Sequence, residues 1–407
     1  MTTRRGALAA ALVLALAAGL LTGCGAEAAE ARRPLLLISI DGFRWDYLDT
    51  AEAPHLRQLA DGGLRAERLL PVYPTKTFPN HYTAVTGLYP SRHGIVANVM
   101  NDPELGLFTL RNRDAVEDGR WWQGEPIWVT AEKQGVKAAT CFWPGSEAEI
   151  AGFRPSHWRR YDAEFGNRDR VKLVFEWLDL PQPQRPDFLT LYFNDVDSAA
   201  HAYGPDAPET RAAIAAVDAE IGVLVAGLRE RGLLDAMHIL VIADHGMAAT
   251  PSEQTVYLAD YLELSDIEVT GGTPALLLRP PPERVDAVAS VLADAHPHLR
   301  VLRTEDTPAA WHFRDHPRIP PLIAMVDEGW NLRPVRGGTL PGGMHGYPPE
   351  LESMHAVFIG HGPGLVKGRT GPVRMIDLYE LMCRLLDLDP APNDGDPSRV
   401  EPLLDPR

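Results

Sequence analysis

An α/β fold with a mainly parallel central sheet flanked by helices is the class this sequence predicts. Three continuous apolar runs, Pro34–Ile40 (PLLLISI), Asp187–Phe193 (DFLTLYF) and His238–Ala243 (HILVIA), have the length and texture of strands covered on both faces. Between the last two runs, Ile214, Val217, Ile221, Leu224 and Leu228 recur at helical spacing from Pro208 to Arg231, and Gly232 marks a stop. That strand–helix–strand order is the unit from which parallel sheets are built.

Ala138–Phe142 and Ala356–Ile359 add two further strands to this sheet. The stretch from about 270 to 330 reads differently. Short strands at Ala275–Leu278, Arg300–Arg303 and Leu322–Val326 surround a helix at Glu283–Ala295, which predicts a small α+β insertion within one large domain spanning 34–395. The chain has 407 residues, 45% of them hydrophobic and 23% charged, so a disordered or collagen-like chain is excluded. Acidic residues number 55 against 39 basic, a net charge of −16, which argues against a broad nucleic-acid surface. Small anionic substrates stay open, because a bound metal reverses the local sign.

The N-terminus has the layout of an export signal over residues 1–23: Arg4 and Arg5, an apolar stretch from Ala7 to Leu21, then Leu21-Thr22-Gly23-Cys24. These four residues resemble a bacterial lipobox. The resemblance implies cleavage before Cys24, a lipid on that cysteine as the sole membrane attachment, and a tether over 24–33. The expected location is outside the cytoplasm, anchored to a bacterial membrane and facing the periplasm or the cell surface. A plain signal peptide with an incidental cysteine is the alternative. Cys141 and Cys383 then remain and are expected to be buried thiols.

Chemistry collects at the strand ends. Asp41, Asp197 and Asp244 each lie at or just beyond the C-terminal end of an apolar run. In open parallel sheets those ends share one edge, where ligands bind. Acids gathered there repel one another unless cations lie between them. His245 follows Asp244, and His201 lies one helical turn after Asp197. Mixed Asp/His sets suit zinc, and there are ligands for two ions. Taken singly, an Asp-Gly turn, a loop Asp-His pair and a surface i,i+4 pair explain the same residues. Lys76-Thr77-Phe78-Pro79-Asn80-His81 precedes an expected helix at Asn80–Thr86 closed by Gly87. Thr77 would sit just before a helix N-terminus, where negative charge is favoured. It is a candidate nucleophile, or simply a residue of the cap.

The blocks IDGFRWDYL (Ile40–Leu48), KTFPNHYTAVTGLYPSRHGIVANVM (Lys76–Met100), FWPGSEAEI (Phe142–Ile150), DVDSAAHAYGP (Asp195–Pro205), ADHGM (Ala243–Met247) and HGYPPELESMHAVFIGHGP (His345–Pro363) appear in this order. Together they resemble the bacterial nucleotide pyrophosphatase/phosphodiesterase family of the alkaline phosphatase superfamily. The resemblance implies an alkaline-phosphatase-like fold and two zinc ions. One would be held by Asp41, Asp244, His245 and the Thr77 oxygen, the other by Asp197, His201 and His345. It further implies Asn98 as a donor to the phosphoryl oxygen, with Phe78 and Tyr161 sandwiching the base of a nucleotide or binding another small phosphodiester. The implied reaction is a two-step substitution through a covalent nucleotidyl-threonine. Two departures stand out. Asn194-Asp195-Val196-Asp197 replaces the common Glu-x-Pro-Asp, which makes Asp195 a rival ligand, and Pro348-Pro349 replaces an Asp-Asn. A phosphomonoesterase with the same metals, a sulfatase, and a non-catalytic metal- or nucleotide-binding lipoprotein are the rival functions. The sulfatase lacks its Cys or Ser nucleophile and Arg here.

Overall fold

The computed structural model describes residues 32–406. The expected signal peptide, Cys24 and the expected tether up to residue 31 lie outside the described residues. Eight strands form the central sheet: β1 (Leu35–Ile40), β2 (Leu64–Ala66), β3 (Ala138–Cys141), β4 (His157–Arg159), β5 (Phe188–Phe193), β6 (His238–Ile242), β7 (Phe358–His361) and β8 (Gly368–Thr370). Their order is β8-β2-β7-β6-β1-β5-β3-β4. β1 lies parallel to both β5 and β6. Every residue of β1 is buried, which is why its apolar run is continuous rather than alternating. β3 runs parallel to β5 and β4. The predicted Ala356 strand begins at Phe358 and runs antiparallel to β6 and β2, so the sheet is mixed at that side.

Six helices matter for the site: α1 (Pro54–Gly62), α2 (Thr77–Thr86), α3 (Asn167–Leu178), α4 (Asp195–Tyr203), α5 (Pro208–Glu230) and α6 (Leu378–Leu386). α5 buries Ile214, Val217, Ile221, Leu224 and Leu228, the stripe its sequence period predicts. It packs on α1, α3 and α4, while α6 packs on α2. Two local expectations need correction. The helix expected from Asn80 starts at Thr77, so Thr77 is its first residue instead of preceding it. Pro79 is tolerated there because the first N–H groups of a helix have no intrahelical partner. The strand expected to reach Phe142 stops at Cys141, because Phe142 turns to a φ of 61°.

Residues from 268 to 326 form a separate four-stranded antiparallel sheet in the order Glu268–Gly272, Ala275–Arg279, Leu322–Val326, Leu299–Arg303, with a helix at Val285–Ala293. Alternation divides one strand between two cores. Leu276 and Leu278 enter a cluster with Val288, Leu292 and Leu322, whereas Ala275 and Leu277 join the main core. Cys141 and Cys383 are buried free thiols, each pushed up to about 12 by burial.

His93 is fully buried behind α2, where its Nε2 lies 3.0 Å from Thr83 Oγ1 and its Nδ1 accepts the Ile95 N–H. Burial pushes its imidazole down to about 3. The unfolded chain therefore takes up the proton first. The stability this group contributes is whole above about pH 6.5 and is lost as pH falls toward 3. Thermal unfolding from pH 7 to pH 4 should show stability declining by up to about 1.4 kcal/mol per pH unit for such a group. His93→Gln should flatten that slope, and an unchanged slope would contradict the assignment.

Candidate metal and nucleophile site

The ends of β1, β5 and β6 bring Asp41, Asp197 and Asp244 together. Gly42 makes the approach possible: its φ is +70°, and a Cβ there would lie 3.0 Å from Asp197 Cα. Its N–H also donates to Asp244 Oδ1 at 3.2 Å. Asp41 and Asp244 are buried, and Asp197 is half-buried on α4. Burial holds the Asp41 carboxyl well above its usual range, and Asp244 and Asp197 push it further. Asp244 is likewise raised, by burial and then by Asp197. One oxygen of each acid, Asp41 Oδ1, Asp197 Oδ1 and Asp244 Oδ2, is buried and accepts no hydrogen bond.

Three histidines face these oxygens. His245 Nδ1 lies 2.9 Å from the Gly246 carbonyl, His201 Nδ1 2.8 Å from the Gly343 carbonyl, and His345 Nδ1 2.7 Å from the Thr75 carbonyl. A carbonyl only accepts, so each Nδ1 carries the proton and each Nε2 presents a lone pair. His245 Nε2 lies 2.8 Å from Asp244 Oδ2 and 3.5 Å from Asp41 Oδ1. His201 and His345 Nε2 lie 3.3 and 3.7 Å from Asp197 Oδ1. Burial lowers the pKa of His245 and holds His345 well below the ordinary histidine value. Lone pairs thus point at lone pairs, the arrangement of a cation site whose imidazoles are oriented by backbone carbonyls. The donor set fits a pair of divalent ions. The two sets adjoin at His245, whose ring stacks on His345 at 3.5 Å and whose ligand atom also lies within 4.8 Å of those of Asp197 and His345.

Thr77 places Oγ1 3.4 Å from His245 Nε2, at the N-terminus of α2. Asn98 Oδ1 accepts the Phe78 N–H at 3.0 Å, which frees its amide hydrogens to donate elsewhere. Phe78 is half-buried beside Trp122 and Phe108. Tyr161 is 38% exposed against Phe142, and the charge of Asp41 reaches its phenol. Asp195 turns away from the cluster and accepts from Asn167 Nδ2 at 3.0 Å.

His81 belongs to a group the motif did not single out. Its nearest ring nitrogen lies within 4.8 Å of ligand atoms of Asp41 and Asp244, yet both its nitrogens are taken. Nδ1 donates to the Thr77 carbonyl at 2.8 Å, and Nε2 accepts from Ser39 Oγ at 2.7 Å. It therefore braces the first turn of α2 and offers no ligand atom. The one legible signal was its place four residues after Thr77. Tyr192, which alternation along β5 leaves facing the site, donates to Asp41 Oδ2 at 2.6 Å.

A mainly parallel α/β sheet carrying acids and histidines at its strand ends defines an alkaline-phosphatase-like protein. The pattern described as Type I phosphodiesterase / nucleotide pyrophosphatase matches residues 35–348, and the chain belongs to that family. It is 38% identical over 383 residues to the venom phosphodiesterase of Crotalus durissus collilineatus, covering 91% of this chain and 46% of that protein. It is 39% identical over 387 residues to the human ectonucleotide pyrophosphatase/phosphodiesterase family member 1, covering 91% of this chain and 42% of that one. The chain thus spans less than half the length of these curated relatives. Among solved structures, murine ectonucleotide pyrophosphatase/phosphodiesterase 5, an inactive Thr-to-Ala variant in complex with AMP, superposes with a TM-score of 0.88 at 33% identity, covering 92% of this chain and all of that one. These relatives are animal proteins.

Zinc added to metal-free protein should raise its melting temperature. Ligand at a hundredfold excess over Kd contributes about 2.7 kcal/mol. Asp244→Asn should reduce the bound zinc found by elemental analysis. No thermal shift in the unmodified chain would contradict a cation site here.

Proposed function

We propose that the chain is a nucleotide pyrophosphatase/phosphodiesterase, a zinc-dependent hydrolase that releases nucleoside monophosphates from nucleotide diesters. The observation that carries this is the meeting of three imidazole Nε2 lone pairs with three carboxylates, with the Thr77 hydroxyl 3.4 Å from His245 Nε2. Two zinc ions, held by Asp41, Asp244 and His245 with Thr77 and by Asp197, His201 and His345, would neutralise the acids and acidify both the threonine hydroxyl and water.

The chain's own groups do the rest. Thr77 Oγ1 attacks phosphorus as the bond to the leaving oxygen breaks, and water later releases the nucleotide from threonine. The start of α2 favours the negative charge that develops beside it. Asn98, fixed by the Phe78 N–H, donates to a non-bridging oxygen. Phe78 stacks one face of the base, and Tyr161 at the rim covers the other. The inactive Thr-to-Ala variant of the murine neighbour and its bound AMP support both the nucleophile and the nucleotide. A phosphomonoesterase would need free cations for the extra phosphate charge. Lys76, beside Thr77, spends its donors on the Thr273 and His345 carbonyls instead.

Export and lipidation at Cys24 complete the reading, with bacterial membrane attachment through that lipid alone. Cys24→Ser should move the protein from the membrane to the soluble fraction. Membrane retention of that variant would reject the anchor.

Thr77→Ala should lower kcat by at least about 10³-fold with zinc still bound. Residual turnover near that of the unmodified chain would exclude the covalent route. Phe78→Ala should reduce kcat/KM for a nucleotide diester roughly 5- to 150-fold, the equivalent of 1–3 kcal/mol of base stacking, and reduce that for bis-nitrophenyl phosphate much less. Equal losses would remove the stacking role.

A further inference from the structure

A cavity of about 240 Å³ lies between the inserted sheet and the segments that carry Lys76, Asn98, His201 and His345. Asn98, His201 and His345 form its reactive end, while Val96, Leu277 and Phe313 are among its apolar walls. Neither Asp41, Asp244 and His245 nor Phe78 and Tyr161 line it. By itself it is smaller than the 300–1,000 Å³ of sites that hold whole ligands. It shares His201, Gly271, Gly272, Thr273 and Met344 with a wider cleft of about 690 Å³ that Arg333 also lines, so it suits the one substituent of a substrate nearest the reacting phosphorus.

Its position follows from the geometry of substitution. Thr77 Oγ1 sits by His245. An in-line displacement sends the departing oxygen to the far side of phosphorus, toward Asp197, His201 and His345. Two of these three, His201 and His345, line the cavity. Its charge is equally specific. Lys76 is the one lysine or arginine among the described lining residues. Its ammonium donates to the Thr273 carbonyl at 2.5 Å and the His345 carbonyl at 2.7 Å, and lies 3.8 Å from Met344 Sδ. With its hydrogens directed there, Lys76 offers no charged donor to a phosphate in this space. The Asn98 amide and the unpartnered Tyr73 hydroxyl are neutral donors on the lining, and they offset the desolvation of a polyanion less well than a cation would.

We propose that this cavity is the leaving-group subsite and that it selects diesters whose departing group is an uncharged alcohol with an apolar body over those that release pyrophosphate. This rests on the phosphodiesterase reading above. The Thr77 hydroxyl gives up its proton to solvent as the Oγ–P bond forms and the P–O bond to the alcohol breaks, and the departing oxygen takes a proton from solvent. The inserted sheet supplies the selective wall, because alternation along Ala275–Arg279 turns Leu277 toward the cavity.

The test compares three substrates that share a thymidine 5′-phosphate half: the nitrophenyl ester, the methyl ester and the triphosphate, each with the zinc-loaded full chain. Intrinsic leaving-group reactivity cancels when ratios of kcat/KM are compared between variant and unmodified chain. Leu277→Arg should shift the triphosphate-to-nitrophenyl ratio at least tenfold toward the triphosphate. Leu277→Ala, a milder change that guards against misfolding of the first, should lower the nitrophenyl-to-methyl ratio at least threefold. Unchanged ratios in a folded variant would overturn the subsite while leaving the phosphodiesterase reading intact. An unmodified chain inert toward all three would overturn both.

Discussion

The site is organised around a repulsion. Three histidines are each locked by a backbone carbonyl into the tautomer that points an Nε2 lone pair inward, and the atoms they meet are carboxylate oxygens with lone pairs of their own. Burial adds to the strain, since both it and neighbouring acids raise Asp41 and Asp244. Such a cluster is stable at neutral pH when cations divide it, and the fold is arranged to impose it. Three strand ends deliver the acids, and carbonyls from three separate segments fix the rings. The first links lie in sequence, in apolar runs that stop at an acid. The last lies in electrostatics.

Much of this was legible because parallel strands leave a strong trace. A strand buried on both faces must be continuously apolar, so β1, β5 and β6 could be read along with the acids after them. The helical stripe of α5 was equally plain. What escaped had weaker local causes. The edge strand Glu268–Gly272 ends in two glycines and buries only Thr270, so it carries no apolar run. The start of α2 was placed three residues late because Pro79 looks like a first helical residue when it is the third. His345 stands in a glycine-rich loop with no periodicity, and only the family resemblance reached it. His81 and Tyr192 act through other residues, and no spacing rule reveals a hydrogen bond to Ser39 or to Asp41. The choice between Asp195 and Asp197 followed from helical phase: the residue one turn before His201 shares its face, and its neighbour turns to Asn167.

Thr77 and His345, 268 residues apart, are stitched into one body. Thr75 accepts the Gly346 N–H on its hydroxyl at 2.9 Å, donates that hydroxyl to the Tyr347 carbonyl at 2.8 Å, and gives its own carbonyl to His345. Lys76 spans from the same segment to the carbonyls of His345 and Thr273. Gly346 must be glycine for this to close, since its φ is +113° and a Cβ would come within 2.3 Å of Lys76 Cε. Asn80 then ties α2 back to the segment, accepting the Val72 N–H and donating to the Pro74 carbonyl. The threonine hydroxyl and the second ligand set therefore keep a fixed relation, the preorganisation that phosphoryl substitution needs. Because Lys76 directs its amine hydrogens to these carbonyls, the residue that looks most like a phosphate binder is spent on holding the site together. The cavity beside it is left apolar for that reason.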